Sequence, residues 1–133
     1  MGSDPPVETG TAAGDPGDVG EVVRFDVVPH GEDARVVHVV GEIDTLTAPV
    51  LRAQLDEHLP AVPLLVLDLS QVTFLGSAGL AVLVAAKDDA DRRRHRLRLV
   101  CGSRIVTRAL EATGLLTLFD VADTVPEALK PEA

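Results

Sequence analysis

The sequence predicts a single α/β domain: a mixed, mostly parallel β-sheet with an N-terminal hairpin and helices packed on it. Strand-like segments rich in β-branched residues alternate with segments of helical periodicity, and this alternation is typical of parallel sheets. The chain has 133 residues, of which 46% are hydrophobic and 25% are charged, the size and balance of one globular domain. We therefore expect one hydrophobic core.

The N-terminal segment differs from the rest of the chain. Residues 1–20 contain five Gly, three Pro and four acidic residues but no basic residue. Such a segment has too little apolar surface to offset the entropy of ordering it, so we expect a disordered acidic tail. The folded domain is expected over residues 21–130.

The domain opens with two strand-like segments, Val22–Val28 and Arg35–Val40. A polar turn at residues 30–33 separates them, and this pattern predicts an antiparallel hairpin. A helix is expected from about Ala48 to His58, because apolar residues recur there at helical spacing and Thr47 is suited to the N-cap.

The second half of the domain repeats strand and helix. A nearly unbroken apolar run at residues 64–69 predicts a strand covered on both faces. The other expected elements are a loop over 71–76, a helix from Ala78 to about Arg92, a strand over 96–101, a helix over 104–113 ended by Gly114, a short strand within 115–121 and a last helical turn within 125–129.

Charge and composition exclude several classes of function. The net charge of −9 and the presence of only three aromatic residues argue against nucleic acid as a direct partner. No apolar run approaches the ~20 residues that cross a bilayer, so we expect no membrane insertion. The single cysteine, Cys101, allows no internal disulfide, which fits the reducing cytoplasm.

The residue patterns of common enzymes are missing from the sequence. Leu75 occupies the position at which a nucleophile elbow around Ser77 needs Gly, and the four histidines show no paired spacing. Asp68 ends a strand, as does the phospho-acceptor of a receiver domain, but the acid pair and late lysine of such a site are missing. We expect no catalytic residue, no metal site and no cofactor.

The most informative residue is Ser77, which follows a buried strand and opens a helix among Gly76, Ala78 and Gly79. One interpretation is structural: the hydroxyl caps the helix by accepting from the amide of Gly79 or Leu80. The other is regulatory, because a helix N-terminus can stabilise a phosphate and the small neighbours leave the hydroxyl accessible to another protein's active site.

Several segments together resemble one family, the STAS domains that act as anti-sigma factor antagonists in bacteria. The segments are Gly41-Glu42-Ile43-Asp44, Thr47-Ala48-Pro49, Asp68-Leu69-Ser70 and Phe74-Leu75-Gly76-Ser77-Ala78-Gly79-Leu80. The resemblance runs from about Val22 to Leu129. It implies a STAS-like fold and a partner, an anti-sigma factor that is also a serine kinase, whose capture frees a sigma factor.

In this family the kinase phosphorylates the antagonist, which then releases it, and a serine phosphatase can be a second partner. Ser77 falls on the phospho-acceptor position, whereas Gly76 stands where the family usually has Asp and Ala78 where a second hydroxyl is usual. The partner-binding residues that the resemblance implies are Asp44, Thr45, Thr47, Gly76, Ser77, Ala78 and Gly79.

Alternatives remain open for this set. Asp44 is equally suited to a turn before the helix, and Thr47 to a helix cap. A different function is also compatible with the resemblance: a STAS-like accessory subunit that binds a transporter ATPase and is never phosphorylated.

Overall fold

The computed structural model describes residues 23–130, so the tail expected over residues 1–20 lies outside the described residues. The elements are β1 (Val23–His30), β2 (Ala34–Ile43), α1 (Ala48–His58), β3 (Leu64–Leu75), α2 (Ser77–Arg93), β4 (Arg96–Val100), α3 (Arg104–Ala112), β5 (Asp120–Ala122) and α4 (Val125–Ala128). A short 3₁₀ turn, Leu116–Leu118, precedes β5. The predicted order of strands and helices is confirmed.

The strands form one five-stranded sheet in the order β1-β2-β3-β4-β5. The pair β1 and β2 is antiparallel, and every other neighbouring pair is parallel. This confirms the mixed, mostly parallel sheet with an N-terminal hairpin.

The two faces of the sheet carry cores of different size. Val37, Leu67 and Leu99 are neighbours across the central strands and belong to the large core, to which α1, α2 and α3 contribute. The opposite face carries a smaller cluster around Val66 that includes Ala128 of α4. Because β3 is covered on both faces, its first half is apolar without alternation, as the sequence indicates.

The expected loop over residues 71–76 is wrong, because β3 continues to Leu75. Beyond Asp68, which is opposite Val100 at the end of β4, the strand pairs only with β2, through an irregular register that ends with Ile43 opposite Leu75. Within residues 71–76 only Val72 and Leu75 are buried, and the mixed polarity of this segment is what made it look like a loop.

Candidate functional site

Two loops meet where β2 and β3 end. Because the strands are parallel neighbours, their carboxyl ends lie at the same edge of the sheet, and Ile43 is opposite Leu75. The amide of Gly76 donates to the carbonyl of Ile43 at 2.9 Å, which fixes the start of α2 beside the loop over residues 44–47. We use the term Ser77 surface for the exposed and half-buried residues of this edge: Asp44, Thr45, Leu46, Phe74, Gly76, Ser77 and Ala78.

Asp44 organises the loop between β2 and α1. Its Oδ1 accepts from the amides of Leu46 and Thr47 at 2.9 and 3.0 Å, and its own amide donates to Thr47 Oγ1 at 2.8 Å. The hydrogen bond from the Thr47 amide is the main reason that the pKa of Asp44 lies below its ordinary value, with desolvation opposing it. The expected turn role of Asp44 is confirmed, and its carboxylate is ionised at neutral pH.

The structure corrects the expected role of Thr47 as a helix cap. Its hydroxyl makes no cap hydrogen bond to α1, because it donates to the carbonyl of Glu42 at 2.7 Å and lies 3.1 Å from Asp44 Oδ1. Thr47 is completely buried, so it holds the loop in shape and presents no side chain at the surface. Thr45, in contrast, is exposed.

Ser77 is the first residue of α2, and the expectation that it caps the helix is wrong. The N-cap is Gly76, whose extended backbone (φ −92°, ψ −179°) lets its carbonyl accept from the amide of Leu80 at 3.1 Å. Ser77 is exposed, and within residues 23–130 its hydroxyl makes no hydrogen bond. The first amides of a helix have no helical acceptor, so donors stand free beside this hydroxyl.

Gly79 is buried beneath the Ser77 surface. A Cβ on Gly79 would lie 2.7 Å from Leu75 Cδ1 and still closer to Ile43 Cγ2. The absence of a side chain therefore lets α2 approach the ends of β2 and β3. Gly79 supports the surface from below, whereas Ala78 beside it is half-buried.

Two large apolar residues of this surface were missed from the sequence. Leu46 is 72% exposed and Phe74 is 49% exposed. The edge of the Phe74 ring lies against Gly76, since a Cβ on Gly76 would be 3.0 Å from Phe74 Cε2. The sequence signal was weak: Leu46 stands alone among polar residues of one turn-like segment, and Phe74 lies beside Leu75 in the segment expected to be a loop.

A second polar cluster lies on the sheet face that carries α4. His38 Nδ1 is 2.7 Å from Asp68 Oδ2, and the hydroxyl and amide of Ser70 donate to Asp68 Oδ1 at 2.7 and 3.0 Å. Burial raises the pKa of Asp68, but the hydrogen bonds from Ser70 and His38 outweigh it and leave the pKa lowered. Burial, with a contribution from Asp68, also raises the pKa of the Cys101 thiol to about 11, so this thiol is neutral at pH 7.

Within residues 23–130 no group of His, Cys, Asp and Glu side chains is placed to hold a metal ion. No helix in the described part of the chain is long and apolar enough to span a membrane.

Comparison with known proteins gives consistent matches. The sequence pattern of the STAS domain family matches residues 27–128. Anti-sigma-F factor antagonist RsfB of Mycobacterium tuberculosis is 34% identical over 95 residues, which cover 71% of this chain and 77% of RsfB. The anti-sigma-B factor antagonist of Listeria monocytogenes is 30% identical over 106 residues, 79% of this chain and 93% of that protein.

The crystal structure of an anti-sigma factor antagonist from Mycobacterium paratuberculosis shares the fold. Its TM-score is 0.74 at 34% sequence identity, and the match covers 82% of this chain and 92% of that one.

Proposed function

The chain belongs to the STAS domain family, and we propose that it is an anti-sigma factor antagonist, a cytoplasmic protein that binds an anti-sigma factor and thereby frees a sigma factor. The observation that carries the proposal is the Ser77 surface, an exposed serine hydroxyl at the start of a helix with exposed apolar side chains on the same edge of the sheet. The chain that carries it is 34% identical over 95 residues to an anti-sigma-F factor antagonist. In this role the chain binds and is modified, and catalysis belongs to its partner.

We assign the anti-sigma factor to the Ser77 surface. Leu46 and Phe74 offer exposed apolar area that a partner can bury, and burial of apolar surface is the dominant favourable contribution to most protein association. Gly76 and Ala78 place little or no side chain beside Ser77, so a partner can approach the backbone there. Asp44 adds one fixed negative charge at the side of the surface.

Regulation is proposed to act through phosphorylation of Ser77 by the anti-sigma factor acting as a serine kinase. A phosphate adds about −1.5 to −2 charge at pH 7. The free amides at the start of α2 would stabilise this charge, so the fold stays intact. The same charge would lie among Leu46 and Phe74, where burial by a partner requires desolvation, and the partner would dissociate. A serine phosphatase would reverse the modification.

Two substitutions test the assignment by titration calorimetry with the cognate anti-sigma factor. Ser77→Ala should bind as the native chain does, and Ser77→Asp should bind more weakly. Thr117→Asp is the control, because it adds the same charge in place of an exposed hydroxyl side chain, in the 3₁₀ turn before β5. Two results together would contradict the proposal: equal affinity of Ser77→Asp and the native chain, and no mass increase of the native chain after incubation with the anti-sigma factor and ATP. The transporter-subunit alternative would then remain.

A further inference from the structure

The outer strand β1 has a free edge. In the described sheet β1 pairs with β2 on one side only, over all eight residues Val23–His30. The other side presents backbone amides and carbonyls that no described strand satisfies. Such an edge can accept a further strand unless the side chains prevent it.

Two side chains of β1, those of Arg24 and Asp26, carry opposite charges. Arg24 and Asp26 lie on the same face of the strand, both are exposed, and neither makes an ion pair with another residue of the described chain. The alternate residues Val23, Phe25 and Val27 face the large core. The strand therefore offers one free positive and one free negative charge, two residues apart.

This spacing is self-complementary. When a strand pairs antiparallel with its own copy about a two-fold axis, residues of the same face are opposite each other. If Phe25 is opposite Phe25 of the copy, Arg24 is opposite Asp26 of the copy, and this pair occurs twice. Moving the axis to Arg24 or to Asp26 places like charges opposite each other, which is unfavourable.

We propose that the chain forms a two-fold symmetric dimer by antiparallel pairing of β1 with β1 of a second copy, centred on Phe25. Two five-stranded sheets then join into one continuous sheet. The Ser77 surface lies at the ends of β2 and β3 and takes no part in the pairing, so the proposal does not depend on the proposed function.

Sedimentation equilibrium of the full chain over a range of concentrations tests the dimer. The native chain should approach twice its mass of 14.0 kDa as concentration rises. Arg24→Asp and Asp26→Arg each place like charges opposite each other at two points, which should weaken association about tenfold or more. The double variant Arg24→Asp/Asp26→Arg restores both opposite-charge pairs and should dimerise like the native chain.

Arg108→Asp is the charge-matched control, since Arg108 is exposed on α3, and it should leave association unchanged. Amide exchange of the native chain needs no variant: β1 should exchange more slowly at high than at low concentration. A native chain that stays monomeric, concentration-independent exchange of β1, or a double variant no better than the single ones would overturn the proposal.

Discussion

The substitution Gly79→Ala tests how the Ser77 surface is supported. A helix interior favours Ala over Gly by about 1 kcal/mol, so an open site would be stabilised. Here the new Cβ would lie 2.7 Å from Leu75 Cδ1 and closer still to Ile43 Cγ2. Carbon atoms in contact are normally about 3.5–4.0 Å apart, so α2 or the strand ends must move by about 1 Å.

Both neighbours are buried, which leaves them little room to move. Overpacking of this kind costs about 1–3 kcal/mol, and after the helix preference is subtracted we expect a net loss of up to about 2 kcal/mol in the free energy of unfolding. Urea denaturation measures this as a lower midpoint at unchanged slope.

Gly76→Ser is the control for the Gly79 substitution. The close contact of a Cβ at position 76 is the edge of the half-exposed Phe74 ring, and the Ile43 carbonyl oxygen lies at an ordinary 3.7 Å. Because Ser is also a good N-cap, the stability should be unchanged or slightly higher. A Gly79→Ala chain more stable than the native one, as expected at an open helix position, would refute the close approach of α2 to β2 and β3.

Four further predictions follow from single features of the chain. Arg94→Gly should raise the free energy of unfolding by up to about 1 kcal/mol in urea denaturation, because Arg94 ends α2 with a left-handed φ of 60°; no gain would contradict this cause. The lowered pKa of Asp68 contributes stability above its ordinary pKa of 3.8 that is lost as the pH falls through the lowered value, so Asp68→Asn should flatten the acid side of the stability profile, and an unchanged profile would argue against it. Deleting residues 1–19 should leave Tm nearly unchanged, because their composition offers little apolar surface to bury, and a fall of more than a few degrees would show that the segment docks. Gly76→Asp should speed phosphate incorporation by the cognate kinase, because it restores the acid usual in the family before Ser77, and no incorporation in either chain would contradict the regulatory role.

Local signals in the sequence were enough to predict most of the fold. The helix Ala48–His58 was predicted with its observed bounds, because its apolar spacing and Pro near its start are features of the helix itself. The end of β3 was mistaken for a loop, because its second half pairs on one side only and its alternation is interrupted by the irregular register with β2. Such a register depends on two strands together, so the sequence of either strand alone gives little indication of it.

The site itself stays a prediction, and the structure tests only the local roles of its residues. Ser77 and Asp44 were singled out, and Asp44 does organise its turn. The expected cap roles of Ser77 and Thr47 were wrong for two reasons. Gly76 is the N-cap, so α2 begins one residue earlier than expected, at Ser77, and the Thr47 hydroxyl donates to the carbonyl of Glu42. The exposure of Phe74 depends on where β3 ends and α2 begins, which its neighbours in sequence do not encode.

The most direct test of the central claim compares one chain before and after modification. The native protein is incubated with its cognate anti-sigma factor and ATP, the phosphate is located by mass spectrometry, and the purified phosphorylated and unmodified chains are titrated with fresh anti-sigma factor. We expect the phosphate on Ser77 and an affinity at least about tenfold lower for the phosphorylated chain. A phosphate located elsewhere, or equal affinity of a chain phosphorylated on Ser77 and the unmodified chain, would contradict the account.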